Sequence, residues 1–384
     1  MIKVKSLQDR KKDIVKPAYH VGRPNMPKQT AVLDRFKEVL ENKWLTNMGP
    51  MSLELEERIA DLLEVKHCIC VSNATIGLEL LQRALDITGE VIIPSFTFIA
   101  TPHSLSWQKI KPVFCDVKLK DHLIDTSKIE SLVTENTSAI LAVPIWGQPC
   151  DYESLEKLAT KYRLKLIFDS AHAFGCKKGE QFLGGYGDGE VFSFHATKIF
   201  STGEGGGITT NCDTLAEKLR LMRNFGFSKK DYTKFLGINA KMNEFSAAFG
   251  LETLSCLDTF IESNRVNYNN YINAFDNARE IDFLEYSLEN NSNYHYIVAR
   301  VPSSIRDRLV RFYHSHNILV RKYFSPGCHK MEPYLTEDKY KKVNLPVTEK
   351  LGREIIVFPT GMQICRDNIY KFRDLYDEFM IKNT

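Results

Sequence analysis

One lysine stands where a strand-like run meets a glycine-rich stretch. Residues 193–198 read Ser-Phe-His-Ala-Thr-Lys, and residues 203–207 read Gly-Glu-Gly-Gly-Gly. The neutral amine of a lysine forms a Schiff base with an aldehyde, and glycines permit a left-handed backbone and close approach of the chain to a ligand. Each feature alone has a simpler interpretation, a solvated surface lysine and a flexible turn. Lys198 is therefore a candidate catalytic residue, and the neighbouring motifs must decide between this interpretation and the simpler one.

A carboxylate directly follows the apolar run 164–168. The sequence there is Asp169, Ser170, Ala171 and His172. At the end of a strand, Asp169 could hold a proton on a pyridine-type nitrogen, which the ring of pyridoxal 5'-phosphate (PLP) needs to act as an electron sink. The alternative is a helix N-cap beside a hydrogen-bonded histidine.

A third polar cluster, Ser-Asn-Ala-Thr at 72–75, lies between a predicted strand and a predicted helix. Free backbone N–H groups and the positive end of the helix dipole make such a turn a natural phosphate site. A plain N-cap is the simpler alternative. All three clusters follow predicted strands, and ligands bind at the carboxyl ends of strands in open α/β sheets.

The elements that would position these clusters alternate between short apolar runs and amphipathic segments from about residue 51 to 210. This rhythm is typical of βαβ units and a mainly parallel sheet. Strands are predicted at 67–71, 91–93, 112–117, 139–145, 164–168, 191–194 and 207–210, and helices at 52–64, 76–85 and 152–162.

The rhythm changes after about residue 251. Helices are predicted at 257–275, 304–315 and 365–380, and strands at 296–301, 319–322 and 355–358. The two patterns predict an α/β domain over 1–250, which includes an N-terminal arm, and a smaller α+β domain over 251–384.

Bulk composition restricts the class of protein. The 384 residues carry a formal net charge of +3, with 43% hydrophobic and 26% charged residues, as in ordinary soluble globular proteins. No long basic stripe suggests nucleic-acid binding, and the basic run at 10–12 is interpreted as a solvated arm. No apolar run is long enough to cross a bilayer, and the N-terminus lacks the apolar segment of a signal peptide.

The cysteines and the missing motifs exclude further classes. Nine cysteines are scattered without a C-x-x-C pair, which favours reduced thiols in the cytoplasm over a disulfide framework and predicts no metal site. The sequence contains no G-x-x-x-x-G-K-[ST], no G-x-G-x-x-G after a strand, no H-E-x-x-H and no G-x-S-x-G. A P-loop phosphotransferase, a Rossmann dehydrogenase, a zinc peptidase and an α/β-hydrolase are therefore disfavoured.

Taken in order, the motifs resemble those of the DegT/StrS-type sugar-nucleotide aminotransferases. The likeness rests on S-F-H-A-T-K followed by G-E-G-G, with D-S-A-H upstream. It continues in the segments 22–25 (GRPN), 44–47 (WLTN), 94–98 (PSFTF), 112–116 (PVFCD) and 241–244 (KMNE). It covers nearly the whole chain and is best over 22–250.

The resemblance implies a fold-type-I PLP enzyme, a homodimer with each active site at the subunit interface. It implies that Lys198 carries the cofactor and that Asp169 pairs with the pyridine nitrogen. His172 would approach the ring hydroxyl, where many relatives have glutamine. The other implied cofactor residues are Phe98 on the ring face and Ala74, Thr75 and Ser193 at the phosphate. Asn243 of the partner subunit would also reach the phosphate.

Two positions depart from the family pattern. Ala74 stands where many relatives have a glycine, and alanine lacks the freedom of glycine at positive φ. The segment Arg-Asn-Phe-Gly at 223–226 stands where relatives often have a histidine before the glycine.

The resemblance also implies the reaction. L-glutamate would give up its amino group, Lys198 would move the proton, and a nucleotide-linked keto sugar would receive the amino group. Two half-reactions in one site predict ping-pong kinetics. The patterns most resemble those of enzymes that convert dTDP-4-dehydro-6-deoxy-D-glucose to dTDP-4-amino-4,6-dideoxy-D-glucose, for surface polysaccharides or glycosylated natural products.

Other functions stay open at this point. A 3-keto sugar, giving a dTDP-3-amino-3,6-dideoxyhexose, or a UDP- or GDP-linked sugar would use the same machinery. The pair Lys198 and Asp169 disfavours a non-catalytic PLP-fold regulator, and the lysine disfavours a PLP-dependent sugar dehydratase, since those relatives have histidine there. The candidate residues on the nucleotide-sugar side are Arg23, Trp44, Asn47, Glu204, Lys241, Tyr323 and His329.

Overall fold

The secondary structure follows the two predicted rhythms. A computed structural model describes residues 18–287 and 289–383, so the predicted basic arm at 10–12 lies outside the described residues. The strands are β1 (Tyr19–His20), β2 (His67–Val71), β3 (Glu90–Pro94), β4 (Lys111–Cys115), β5 (Thr137–Ala142), β6 (Lys165–Asp169), β7 (Lys177–Lys178), β8 (Gln181–Phe182), β9 (Gly189–Ser193), β10 (Gly206–Thr210), β11 (Phe227–Lys229), β12 (Tyr232–Thr233), β13 (Asp282–Phe283), β14 (Ile297–Arg300), β15 (Ile318–Leu319) and β16 (Ile355–Phe358).

Twelve α-helices are interspersed with these strands in the described part of the chain. They are α1 (Gln29–Asn42), α2 (Pro50–Leu63), α3 (Ala74–Ala84), α4 (Ala100–Ser106), α5 (Thr126–Ile129), α6 (Tyr152–Tyr162), α7 (Asp213–Met222), α8 (Glu244–Ser255), α9 (Leu257–Phe275), α10 (Ser303–Ser315), α11 (Pro346–Glu354) and α12 (Arg366–Asn383). Within the described part of the chain, no helix is long and apolar enough to span a bilayer.

The central sheet has seven strands in the order β2-β10-β9-β6-β5-β3-β4. Strand β10 is antiparallel to both of its neighbours, and the other pairs are parallel. The middle strands are buried along most of their length, as expected for parallel strands covered by helices on both faces. This arrangement confirms the predicted α/β class with a mainly parallel mixed sheet.

A local residue caps the start of one helix of this domain, and a distant residue caps the start of another. Helix α6 starts after Asp151, whose carboxylate accepts a hydrogen bond from the Ser154 N–H at 3.2 Å, a standard N-cap. Helix α2 has Pro50 at its first position, and a residue distant in the chain accepts hydrogen bonds from two buried N–H groups of its first turn. The buried carboxylate of Glu244 accepts from the N–H groups of Met51 and Ser52 at 2.8 and 3.1 Å.

A second apolar cluster forms toward the C-terminus. The antiparallel sheet β13-β14-β16 packs there with helices α10 and α12 around buried aromatic residues. Helix α9 contributes Leu257 and Phe260 to the larger cluster and Tyr271 and Phe275 to the smaller one. Strand β1 pairs in parallel with β15, so the first described residues contact the C-terminal part of the chain. The domain boundary at residue 250 stays a prediction.

Most predicted elements recur with shifts of a few residues at their ends. The helices at 152–162 and 257–275 and the strands at 67–71 and 355–358 have the predicted bounds. The strand predicted at 139–145 ends at Ala142, and a short 3₁₀ turn, Ile145–Gly147, follows. The strand predicted at 319–322 has only two residues, Ile318–Leu319.

Candidate active site

A cavity of about 310 Å³ lies at the carboxyl ends of β6 and β9 and beside the N-terminus of α3. Its volume lies within the range of small-molecule sites, roughly 300–1,000 Å³. It brings together many of the residues that the sequence singled out. Those on its wall are Ala74, Thr75, Phe98, Asp169, His172, Ser193, Lys198, Glu204 and Tyr323.

Lys198 lies in the turn that follows β9. Its backbone N–H donates to the carbonyl of His195 at 2.9 Å, and its Nζ donates to the hydroxyl of Tyr296 at 3.2 Å. Burial lowers the pKa of Lys198 to about 8, and the negative charge of Asp169 opposes that decrease. A substantial fraction of this amine is therefore neutral near pH 8, which is the nucleophilic and basic form.

Asp169 is the last residue of β6 and is 5% exposed. Its Oδ2 accepts from the hydroxyl of Thr101 at 2.6 Å, and its Oδ1 accepts from the N–H of Ala171 at 3.3 Å. Burial raises the pKa of Asp169, while Thr101, Lys198 and Ala171 each lower it. The site thus holds a buried carboxylate opposite a lysine, an arrangement suited to a protonated ring nitrogen.

His172 is buried against aromatic rings. Its ring centroid lies 4.4 Å from that of Tyr296 and 5.7 Å from that of Trp146. Its Nδ1 accepts from the backbone N–H of Trp146 at 3.3 Å. Burial lowers the pKa of His172 well below its usual range, and the charges of Lys198 and His295 lower it further. His172 is therefore neutral at physiological pH.

The N-terminus of α3 lies at one end of the cavity. Asn73 is the N-cap, with extended backbone, and its Oδ1 accepts from the Ile76 N–H at 2.9 Å. Ala74 is the first helical residue and has no positive φ, so alanine replaces the family's glycine without backbone strain. The N–H groups of Ala74 and Thr75, the Thr75 hydroxyl and the Ser193 hydroxyl are the donors that this end offers to a phosphate.

The glycines of the glycine-rich stretch have different roles, and Gly205 lines the cavity. Within 203–207 only Gly203 has a left-handed backbone, with φ of 80°. Gly206 pairs with Ser193 in the sheet, and a Cβ at Gly206 would lie 2.7 Å from the backbone N of Ala74. The close approach is therefore between β10 and the start of α3, and it excludes any side chain at this point.

The predicted cofactor residue Asn243 and several predicted substrate-side residues lie outside the cavity of a single chain. Asn243 is exposed, and its Oδ1 caps α8 by accepting from the Ser246 N–H at 2.9 Å. The Nζ of Lys241 donates to the side-chain oxygens of Asn224 and Asn239 at 2.9 and 2.7 Å. Arg23 is exposed next to Gly22.

Of the other three predicted substrate-side residues outside the cavity, two lie on the surface and one lies in the core. Trp44 is 51% exposed, and Asn47 is exposed with φ of 63°. His329 is 2% exposed and does not line the cavity. Its Nδ1 is 2.7 Å from the Ser95 hydroxyl, and its Nε2 is 3.3 Å from a carboxylate oxygen of Glu349.

Two aromatic residues of the cavity wall were not predicted from the sequence. Tyr296 and Phe324 come from beyond residue 290, and no local pattern links them to Lys198. Thr101 lies in α4 behind the wall, four residues after the wall residue Thr97, and the two hydroxyl oxygens are 2.9 Å apart. Thr97 belongs to the 94–98 motif, and the four-residue spacing from Thr97 to Thr101 is the signal in the sequence that points to Thr101.

The donor set fits PLP. An amine with a lowered pKa, a buried carboxylate, a neutral histidine and a helix N-terminus with free N–H groups surround one cavity. These are the groups needed for an aldehyde, a pyridine nitrogen, a ring oxygen and a phosphate, respectively.

Comparisons with known proteins agree with this chemistry. The model of the DegT/DnrJ/EryC1/StrS aminotransferase family matches residues 28–373. The chain is 37% identical over 355 residues to the dTDP-4-amino-4,6-dideoxy-D-glucose transaminase of Shigella dysenteriae, covering 92% of this chain and 96% of that protein. It is 31% identical over 363 residues to the dTDP-3-amino-3,6-dideoxy-alpha-D-galactopyranose transaminase of Aneurinibacillus thermoaerophilus, covering 90% and 94%.

A solved structure shares the fold closely. The crystal structure of DesI in the presence of its TDP-sugar product superposes with a TM-score of 0.91 and 36% sequence identity. The match covers 96% of this chain and 95% of DesI.

Proposed function

Because this chain belongs to the DegT/DnrJ/EryC1/StrS aminotransferase family and is PLP-dependent, we propose that it transfers an amino group from L-glutamate to dTDP-4-dehydro-6-deoxy-D-glucose. The product is dTDP-4-amino-4,6-dideoxy-D-glucose. The observation that carries the proposal is the placement of Lys198, with a pKa of about 8, in one cavity with Asp169 and the N-terminus of α3.

Each wall of the cavity has a role toward the cofactor. Asp169 holds the proton of the pyridine nitrogen, and Thr101 keeps that carboxylate ionised through its 2.6 Å hydrogen bond. His172 binds the ring oxygen, and Ala74, Thr75 and Ser193 bind the phosphate. Phe98, which lines the cavity, covers the ring face. When bound, the cofactor supplies the electron sink that makes the donor's Cα–H acidic.

Lys198 supplies the acid–base chemistry. Because burial lowers its pKa to about 8, its Nζ can both accept and return a proton near neutral pH, which is the optimum for general acid–base catalysis. The Tyr296 hydroxyl, 3.2 Å from Nζ, holds the amine in place when it is released. Apolar and aromatic side chains dominate the rest of the wall and exclude water from the proton transfer.

A second copy of the chain is proposed to complete the site, both at the cofactor phosphate and on the substrate side. Glu204 and Tyr323 lie on the cavity wall of one chain, whereas Asn243, Lys241 and Trp44 do not. In a homodimer with its sites at the interface, Asn243 of the partner subunit would bind the phosphate. The exposed positions Arg23 and Asn47 would then face the nucleotide sugar.

The relatives favour a 4-keto sugar, with a 3-keto sugar as the second candidate. The 4-amino assignment comes from the relative that is 37% identical over 92% of this chain. The 3-amino assignment comes from the one that is 31% identical over 90%. We place the enzyme in the cytoplasm, in agreement with its nine free cysteines.

The function is tested with purified protein, PLP, L-glutamate and each keto sugar in turn. We expect 2-oxoglutarate and dTDP-4-amino-4,6-dideoxy-D-glucose in equal amounts, identified by mass spectrometry and NMR, with ping-pong kinetics. Amination of only the 3-keto sugar would contradict the proposed substrate. A protein that binds PLP and releases no 2-oxoglutarate with any sugar would contradict the enzyme assignment and favour a regulator.

The shared site is tested by complementation. Lys198→Ala and Asn243→Ala variants should each be inactive alone. An equal mixture of the two variants should regain about a quarter of wild-type activity, since half of the dimers are mixed and each of these has one of its two sites intact. A mixture as inactive as its parents would contradict a contribution of Asn243 from the partner subunit.

A further inference from the structure

Trp146 connects the cofactor pocket to a buried histidine that the sequence did not single out. Its side chain is fully buried, and it lies in the 3₁₀ turn after β5. Its backbone N–H donates to Nδ1 of His172 at 3.3 Å, and its indole Nε1–H donates to Nδ1 of His122 at 3.0 Å. One tryptophan therefore holds two histidines at their Nδ1 atoms.

The backbone at these residues is unusual. His122 and Trp146 have φ of 64° and 62°, and Gly147 has φ of 82°. For residues other than glycine the left-handed region costs about 1–2 kcal/mol. Such conformations persist only where the surroundings enforce them, and they concentrate at functional sites. A Cβ at Gly147 would lie 2.9 Å from the Cys176 sulfur, so the turn also requires glycine next to Trp146.

The hydrogen bond from Trp146 determines which nitrogen of His172 carries the proton. A neutral imidazole has one N–H and one acceptor nitrogen. Because Nδ1 accepts from the Trp146 N–H, the proton must lie on Nε2. No hydrogen-bond partner for Nε2 is found among residues 18–287 and 289–383, and His172 lines the cavity. Nε2–H is thus the one donor that His172 can offer to a ligand.

We infer that His122 and Trp146 are positioning residues that hold His172 in its Nε2–H tautomer, so that it donates a hydrogen bond to the ring oxygen of the cofactor. The inference rests on the proposed function, because the ring oxygen belongs to PLP. His122 acts on the cofactor only through Trp146 and His172.

His122 is suited to this role because it is a constant acceptor. It is 2% exposed, and burial with the nearby charge of Arg300 lowers its pKa to about 3, with Asp282 opposing. It stays neutral at physiological pH, so its Nδ1 can always accept from the indole. The indole bond, in turn, holds the left-handed turn that directs the Trp146 N–H at His172.

Two matched variants test this arrangement at His122. In His122→Asn, the side-chain Oδ1 occupies the position of Nδ1, keeps an acceptor for the indole and tolerates the left-handed backbone. In His122→Leu, a methyl group takes that position and the acceptor is lost. Trp146→Phe removes the indole N–H directly and is an independent test if the leucine variant folds poorly.

The first measurement is made without cofactor. In protein labelled with ¹⁵N-histidine, the ring nitrogen shifts of His172 report its tautomer. We expect the Nε2–H form in the wild type and in His122→Asn. His122→Leu and Trp146→Phe remove the indole bond that holds the turn, so the Trp146 N–H no longer points at His172. The ratio of Nδ1–H to Nε2–H in His172 should then rise about fivefold, the effect of losing one typical hydrogen bond, here the one from the Trp146 N–H to Nδ1.

The second measurement uses the absorption spectrum of the PLP-bound protein. The loss of the donor changes the protonation of the ring oxygen, so His122→Leu should alter the ratio of the two cofactor bands. In a His172→Gln background, the amide can turn its NH₂ toward the ring oxygen whatever Trp146 does. There, His122→Leu should leave the spectrum unchanged.

The outcomes separate this inference from the proposed function. An Nδ1–H tautomer in the wild type, or an equal spectral change in both backgrounds, would overturn the inference, since His122 would then act only on the fold. The expected tautomers in a protein that takes up no PLP would support the hydrogen-bond coupling and refute the PLP function instead.

Discussion

Thr101 should control how strongly the site binds its cofactor. Its hydroxyl, fully buried in α4, donates to Oδ2 of Asp169 at 2.6 Å and is itself 2.9 Å from the hydroxyl of Thr97. Since the proton of Thr101 goes to the carboxylate, Thr97 must donate to Thr101. Thr101→Val removes the hydroxyl at nearly constant volume, and Thr101→Ser keeps it.

The size of the effect follows from the buried charge. A hydrogen bond to a charged group contributes about 1.5–3 kcal/mol, and its loss leaves the carboxylate with the weaker 3.3 Å contact from the Ala171 N–H. Thr101→Val should therefore raise the pKa of Asp169 further above its usual value. If the whole loss falls on the bound cofactor, PLP affinity should fall about 10- to 150-fold.

The assay is the PLP dissociation constant by absorption titration across a pH series, with reconstituted apoprotein of both variants. Because Thr101→Val raises the pKa of Asp169, a larger fraction of the carboxylate is protonated at low pH. The defect relative to Thr101→Ser should therefore shrink as the pH rises and Asp169 ionises again.

Two results would refute this reasoning. If Thr101→Val binds PLP as tightly as Thr101→Ser at every pH, the hydroxyl does not support the carboxylate. If both variants lose affinity equally, the effect comes from packing around α4. Thermal unfolding of both variants serves as the control for packing.

Three further predictions concern the amine and the phosphate end. Trapping of PLP on Lys198 by borohydride should rise with pH and reach half its maximum near pH 8, because the pKa of the amine is about 8. A half-maximum near pH 10.5, the ordinary pKa of a lysine, would contradict the burial of the Lys198 amine. Tyr296→Phe removes the acceptor 3.2 Å from Nζ, so the same assay should give a midpoint below that of the wild type; an unchanged midpoint would show that the contact does not stabilise the charged amine. Gly206→Ala puts a Cβ 2.7 Å from the N of Ala74 and should lower the free energy of unfolding by about 1–3 kcal/mol. It should also weaken the binding of PLP more than the binding of pyridoxal, which lacks the phosphate. An equal loss of affinity for both, measured by titration, would rule out an effect at the phosphate.

Local patterns in the sequence were sufficient for much of the fold and part of the site. Apolar runs of strand length alternate with amphipathic segments, and that period alone predicts parallel βαβ units. Because the ends of parallel strands meet at one edge of a sheet, the clusters around Ala74, Asp169 and Lys198 were expected to converge. The cavity does bring these three clusters together.

Other features depended on contacts between distant segments. Tyr296 reaches Lys198 from almost 100 positions away in the chain, and Trp146 joins His122 to His172. No local periodicity encodes such pairs, since they arise only when separate elements pack. The same holds for Glu244, whose carboxylate caps α2 from almost 200 positions away in the chain.

Sequence by itself determined the chemistry of Lys198: an amine after a strand, with a carboxylate and a phosphate turn in order along the chain. Tertiary structure decided its reactivity, because only burial lowers the pKa of that amine to about 8. It also decided against His329 as a wall of the cavity, since packing holds that ring in the core with Ser95 and Glu349. The physical reason is the same in each case: residue type sets what a group can do, and desolvation and partners, which depend on the whole fold, set whether it does so.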